Sequence, residues 1–155
     1  MQTRDCERLE ALLAKRLEQF QAGQIHCAET VLLTMTDYCG WESDAIPRIA
    51  TAFGGGIATM QNACGAYVGG AMSIGMFIGR DVPGGDREPA VALCKELRAH
   101  ILAQCGAVDC RDILQDVDLS DPEQRAAFRL PGAKHHTVCE PLVASVCRFL
   151  AERFA

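Results

Sequence analysis

The stretch QNACGAYVGGAMSIGMFIG, residues 61–79, decides the fold, because it closes a longer segment, residues 49–79, that contains no Asp, Glu, Lys or Arg. Its glycines make it a poor helix by propensity alone, so a helix here has to be held by packing. Small residues recur along one thin surface, where other backbones can approach closely: Gly65, Gly69, Gly70, Ser73, Gly75 and Gly79. The pattern predicts a central helix at about 61–79 that is buried on all sides.

The same uncharged segment has to be weighed as a membrane span, which needs about 20 apolar residues. Three glycines at 54–56 interrupt its first half, and Gln61 and Asn62 open the second. The remaining run is rich in Gly, Ala and Ser rather than in Leu and Ile. We therefore expect a core helix and no membrane span.

Amphipathic segments surround the central stretch. Residues 116–132 are acidic and interrupted by Pro, and are predicted to be mostly a connection with one or two turns around Ala126. Periodic apolar residues and capping signals predict further helices at about 5–21, at 26–39, after Ser43, at 88–104, from Cys110 and after Thr137. No strand pattern is visible, so the chain is predicted to be all-α, a compact bundle of about five to seven helices in a single domain, residues 1–155.

Composition and charge narrow the classes of function. Hydrophobic residues make up 49% and charged residues 23% of the chain, which is ordinary globular usage. The net charge is -5 and no block of like charges could form a nucleic-acid arm, so no nucleic-acid binding is expected. Residues 1–20 interleave charges with leucines, unlike an export signal, and a reducing, cytoplasmic compartment is the expectation.

Nine cysteines are too many for ordinary usage in such a compartment, and their odd number argues against a fully paired disulfide framework. Cys6 lies near the N-terminus, and those in helix interiors or last turns are expected to pack as small hydrophobes: Cys39, Cys94, Cys105 and Cys147. The other four fall in first helical turns: Cys27, Cys64, Cys110 and Cys139.

The position of these four cysteines at helix starts affects the pKa of their thiols. Exposed N–H groups and the positive end of the helix dipole stabilise a thiolate at a helix start and lower its pKa. If the four helix starts converge, they form a pocket of N–H donors suited to thiolates or to an anionic cluster. The alternative is that these cysteines also pack as buried small hydrophobes.

Short sequence motifs do not identify the group that such a pocket would bind. There is no C-x-x-C for a thioredoxin-type or zinc-ribbon site. Arg111 and Lys134 could supply positive charge near the thiolates. His135 and His136 could act as ligands or proton carriers, or they could be surface residues in a loop. The glycines at 54–56 lack the Gly-Lys-Ser/Thr of a phosphate loop, so a nucleotide site is not expected.

Five segments, taken in order, resemble the C-GCAxxG-C-C family, whose members are described as redox-active. They are CAETVL at 27–32, FGGG at 53–56, CGAYVG at 64–69, CRDIL at 110–114, and Cys139. The resemblance covers about residues 23–150 and implies that the family's four cysteines are the four at helix starts. Gly65 and Gly69 are the two glycines of the CGAYVG segment, which resembles the GCAxxG part of the family pattern. Ala63 stands where the family name has Gly, and His26 precedes the first cysteine where a better capping residue would be usual.

A domain similar to this family occurs in split-Soret cytochromes, where an iron-sulfur centre is associated with it. The resemblance therefore implies a redox site more than a particular reaction. We favour an electron carrier in which four thiolates hold an iron-sulfur cluster, because four cysteines at helix starts match the number of protein ligands that such a cluster needs.

Three alternatives stay open. A thiol redox protein would cycle two of the cysteines between dithiol and disulfide, and it needs one exposed, low-pKa thiol. A non-redox protein would hold zinc in a closed site or sense metals. A helical subunit with incidental cysteines has no such chemistry.

The sequence indicates no substrate pocket and no hydrolytic arrangement, so an electron-transfer or metal-binding role is favoured over a substrate-converting enzyme. The expected partner is a redox protein whose identity the sequence does not give. The small-residue faces of the central helix could serve a homodimer as readily as a core.

Overall fold

The computed structural model describes residues 3–154, and the side chains of residues 5–154. Residues 1, 2 and 155 of the predicted domain lie outside the described residues. The α-helices of the described part are α1 (Thr3–Gln21), α2 (Cys27–Cys39), α3 (Gly65–Ile78), α4 (Glu88–Cys105), α5 (Cys110–Leu114), α6 (Pro122–Phe128) and α7 (Glu140–Phe154). A 3-10 turn at Arg48–Phe53 precedes α3, and a π-helical turn at His135–Cys139 runs into α7.

The all-α prediction is confirmed. Within residues 3–154 no strand is formed, and the one extended pairing is an isolated bridge between Ala63 and Asp109. The 3-10 turn matches the short helix expected after Ser43, and α6 matches the turns expected around Ala126.

The middle of the bundle is formed by α3 packed on α2. A Cβ added to Gly69 would lie 2.5 Å from the carbonyl oxygen of Ala28, and one added to Gly70 would lie 2.6 Å from Cδ2 of Leu97 on α4. A hydrogen is therefore all that fits at Gly69, where the neighbour is backbone, and a larger residue at Gly70 would require Leu97 to move. The predicted close approach of another backbone along the small-residue surface is seen at Gly69, whereas Gly70 packs against side chains.

The central helix differs from the prediction at both ends. It begins at Gly65 rather than Gln61, because Asn62 and Ala63 are extended against the segment before α5. Its last turn is not buried, since Met76 is 44% and Phe77 40% exposed. The helix is short and partly exposed, and no helix of the described residues is both long and apolar enough to cross a membrane.

The core lies between the central pair and the other long helices. Val31 and Met35 on α2 meet Val143 and Val146 on α7, and none of these four side chains is exposed. A second, smaller core joins α5, the connection after it and the end of α6 through residues that are nearly or fully buried: Cys110, Leu114, Leu119 and Phe128. The acidic connection after α5 thus contributes a packed wall near the cysteines.

Candidate functional site

The structure brings the four helix-start cysteines to one cavity of about 90 Å³, which all of them line. Cys27 is the first residue of α2, and Cys64 is the N-cap of α3. Cys110 is the first residue of α5, and Cys139 is the last residue of the π-helical turn before α7. Four separate parts of the chain therefore present sulfur to the same space.

Backbone hydrogen bonds tie the start of α3 to the start of α5. The N–H of Cys64 donates to the carbonyl of Val108 over 3.0 Å, and the N–H of Cys110 donates to the carbonyl of Asn62 over 2.7 Å. The N–H of Arg111 donates to the carbonyl of Gln61 over 3.1 Å. These bonds fix two of the four cysteines relative to each other although 46 residues separate them in sequence (110 − 64).

The sulfur of Cys27 lies directly over the backbone of Gly65. A Cβ at that glycine would come within 2.2 Å of Sγ of Cys27, which is far inside van der Waals contact. The backbone N–H groups of Gly55, Ala28 and Gly65 all donate toward this sulfur. Gly65 is therefore needed for the sulfur of Cys27 to approach the backbone amides.

A left-handed turn carries one of these amides. Gly55 and Gly56 have φ of +63° and +68°, and the next three residues stay left-handed at +65° for Ile57, +51° for Ala58 and +61° for Thr59. Non-glycine residues in this region are strained by about 1–2 kcal/mol each, and such strain concentrates at functional sites. Here the turn places Gly55 against Cys27.

Close packing leaves no room for a side chain on the second glycine of the turn. A Cβ on Gly56 would lie 2.6 Å from Cβ of Cys110. The same turn thus contacts two of the four cysteines, one through an amide and one through packing. The FGGG segment, which matches no phosphate loop, is explained by these contacts.

Gln61 anchors the far wall of the cavity. Its side chain is 3% exposed and donates to the carbonyl of Val117 over 2.8 Å. Its amide oxygen accepts from the N–H of Leu119 over 2.9 Å. Since Leu119 lines the cavity, this buried amide couples the left-handed turn to the segment between α5 and α6.

Burial raises the pKa of all four thiols, which reverses the lowering predicted from their helix positions. For Cys27 the loss of solvent outweighs the N–H donors. The pKa of Cys110 rises to about 12, and burial also raises that of Cys64 and of Cys139, with the neighbouring sulfurs adding to the shift. At neutral pH the four groups are thiols unless a cation replaces their protons.

The N–H groups of Ala66 and Tyr67, in the first turn of α3, act against this shift at Cys64 without closing a capping hydrogen bond. Among residues 3–154 no group of three or more His, Cys, Asp or Glu side chains is arranged to hold a single metal ion. The chemistry of the donor set nonetheless suits a sulfur-ligated group, because four thiols share one apolar cavity with N–H donors at two of the sulfurs.

Histidine and arginine side chains form part of the cavity wall. His135 is 2% exposed and neither of its ring nitrogens has a hydrogen-bond partner. Arg129 lines the same cavity and donates to Nδ1 of His26 over 3.2 Å. Burial lowers the pKa of His135 to about 4, with Arg129 as a second cause, so its imidazole is neutral.

The predicted supporting residues have different surroundings. Gly65 contacts Cys27, and Gly69 contacts α2. Asn62 is exposed and holds Cys110 through its backbone carbonyl rather than by capping α3. Arg111 is exposed, with its guanidinium 3.4 Å from the carbonyl of Met60. Burial raises the pKa of the neighbouring Cys110 thiol, and the Arg111 charge only partly opposes that rise. His136 pairs with Glu140 over 3.5 Å and does not line the cavity.

The remaining cysteines do not line the cavity. Cys147 is fully buried in the core of α7. Cys39, Cys94 and Cys105 are partly buried against the main core, as the small-hydrophobe interpretation expects. The sequence left His135 open as a ligand, a proton carrier or a surface residue, and the structure buries it at the cavity. Sequence reasoning did not single out Arg129, which also lines the cavity.

Comparison with known proteins identifies the family of the chain. A family model described as "Putative redox-active protein (C_GCAxxG_C_C)" matches residues 25–153. Comparisons with curated proteins and with solved structures found no match. The matched range includes all four cysteines that line the cavity and most of the chain, so the protein belongs to the C_GCAxxG_C_C family of redox-active proteins.

Proposed function

We propose that Cys27, Cys64, Cys110 and Cys139 hold an iron-sulfur cluster and that the protein transfers electrons to or from a partner protein. The observation that carries the proposal is that four sulfurs from four parts of the chain line one apolar cavity. Four cysteines are the usual ligand set of a two-iron or four-iron cluster. Such a group supplies a one-electron redox couple when bound.

The protein's own residues would prepare the ligands. The amides of Gly55, Ala28 and Gly65 donate toward the sulfur of Cys27 and would favour its thiolate once the proton has left. Since all four thiols have raised pKa values, loading must release protons to solvent. The apolar walls would exclude water from the sulfurs.

Burial also bears on the thiol-exchange alternative. That chemistry starts with a thiolate that a partner can reach. Cys64 and Cys110 are buried, Cys27 and Cys139 are only partly exposed, and the pKa of every cavity thiol is raised rather than lowered. A four-ligand occupant agrees with these surroundings better than an attacking thiolate does, and zinc would use the same sulfurs without a redox change.

The test is an anaerobic visible spectrum after reconstitution with iron and sulfide, recorded before and after dithionite. The matched pair of variants is Cys64→Ser, inside the cavity, and Cys94→Ser, a partly buried cysteine outside it. We expect brown sulfur-to-iron absorption that bleaches on reduction in the wild type and in Cys94→Ser, and is lost or strongly reduced in Cys64→Ser.

A colourless wild-type protein under these conditions would refute the cluster. Metal analysis and thiol titration of the same samples then separate the alternatives. One zinc per chain that is lost in Cys64→Ser would establish the closed metal site. A dithiol pair that oxidises reversibly, again dependent on Cys64, would establish thiol exchange.

A further inference from the structure

The buried imidazole of His135 has no structural partner. Both ring nitrogens lack a hydrogen bond although the residue is only 2% exposed. Leaving a buried polar group unpaired costs free energy, and such groups are rare in folded proteins. If this position served packing alone, Phe would fill it without that cost.

The ring is held in one orientation. Phe20 stacks on one face, with ring centroids 4.2 Å apart, and Phe128 meets the ring edge-on at 5.2 Å. Both aromatic residues line the cavity with His135. A polar group that is locked in place and unpaired beside four thiols is a preorganised contact for whatever the thiols hold.

Positive charge accompanies the imidazole. Arg125 and Arg129 line the same cavity, and neither forms an ion pair with a carboxylate of the described residues. Arg129 donates to Nδ1 of His26, which is also a lining residue. This side of the cavity therefore carries guanidinium charge that the protein itself does not neutralise, although the whole chain has a net charge of -5.

We propose that His135 donates an imidazole N–H to the sulfur-rich anionic group held by the four cysteines, with Arg129 supplying positive charge on the same side. The inference rests on the proposed function. Direct ligation by His135 is not needed, because four cysteines already complete the usual ligand set. N–H groups aimed at sulfur favour the reduced, more negative state, so this wall raises the reduction potential.

The test compares midpoint potentials of reconstituted wild type, His135→Phe, His135→Gln and Arg129→Gln. The control is His100→Phe, the same substitution at a histidine that bonds to Ser145 and does not line the cavity. In His135→Phe we expect the oxidised-to-reduced ratio at a fixed solution potential to rise about tenfold, which is about 59 mV for a one-electron couple. Arg129→Gln should also lower the midpoint potential. His135→Gln should lower it less than His135→Phe does, and His100→Phe should leave it unchanged.

Two outcomes would overturn the inference while the cluster stands. One is an unchanged potential in both His135→Phe and Arg129→Gln. The other is loss of the visible absorption in His135→Phe from a folded protein, which would make His135 a ligand. A wild type that never becomes coloured removes the proposed function and this inference together, so the two failures are distinguishable. If His135→Phe does not fold, the potential of Arg129→Gln decides.

Discussion

The contact between Gly65 and Cys27 gives the sharpest prediction, because a methyl group at Gly65 would occupy the place of the sulfur. An ideal Cβ there lies 2.2 Å from Sγ of Cys27 and 3.0 Å from the carbonyl oxygen of Phe53. Ordinary contact needs roughly 3.5 Å or more, so the sulfur or the helix has to move by more than about 1 Å. Gly65→Ala should therefore displace the Cys27 thiol from the cavity.

The cost can be bounded. Overpacking of this kind destabilises by about 1–3 kcal/mol, and the better helix propensity of Ala returns at most about 1 kcal/mol. We expect Gly65→Ala to lower the free energy of unfolding by about 1–2 kcal/mol and to lose most of the visible absorption after reconstitution. If the thiol rotates away instead, the stability loss is smaller, about 0.5–1.5 kcal/mol, and the absorption is still lost.

Gly75→Ala is the matched control, because Gly75 lies in the same helix, is exposed, and a Cβ there would meet nothing within 4 Å. It should raise the free energy of unfolding by up to about 1 kcal/mol and leave the absorption unchanged. Urea unfolding and the visible spectrum measure both quantities on the same preparations. A Gly65→Ala protein that is as stable as Gly75→Ala and takes up the same iron would refute the steric reasoning.

Two further predictions concern stability in the absence of any bound group. The pKa of His135 is lowered from 6.5 to about 4 in the folded protein, so the unfolded chain binds the extra proton first and stability falls as the pH drops between these values. From pH 7 to pH 5 the loss from this residue should reach up to about 2 kcal/mol, and His135→Phe should remove it; parallel pH profiles for the two proteins would contradict this. Gln61→Ala leaves the buried N–H of Leu119 unpaired and should cost about 1–3 kcal/mol in urea unfolding, and an unchanged midpoint would show that the 117–119 segment is held otherwise.

Much of the fold could be predicted from the sequence because helical periodicity and capping signals are local. The apolar spacing of α1, α2 and α4 and the small-residue surface at Gly69 and Gly70 gave the right class and the right close contact. The first residue of α3 could not be predicted from these local signals. Gln61 and Asn62 have the composition of a helix start, but pairing with the segment before α5 keeps them out of the helix.

The left-handed turn was beyond sequence reasoning for a physical reason. Ile57 and Thr59 are β-branched and disfavour positive φ, so propensity argues against the conformation they adopt. The end of the turn is held by bonds to a distant segment, such as the N–H of Arg111 to the carbonyl of Gln61 at 3.1 Å, that only the folded chain makes. Tertiary contacts here override local preference.

Placement of the histidines depended on one helix boundary. Thr137 is a good N-cap by type, and a helix starting there would leave His135 and His136 in a loop. The helical path instead begins two residues earlier as a π-helical turn, which directs His135 into the cavity and His136 toward Glu140. The extra residue of a π turn rotates side chains relative to an α-helix, and such turns are frequent at functional sites.

The thiol pKa values show why helix position alone misjudges a cysteine. N–H donors and the helix dipole lower a thiol pKa only while water can solvate the resulting charge. At Cys27 three neighbouring amides point at the sulfur, yet burial still raises its pKa. The amides therefore suit a thiolate whose charge is balanced by a bound cation. On the proposed function, Gly55 and Gly65 open access to the backbone for that ligated sulfur.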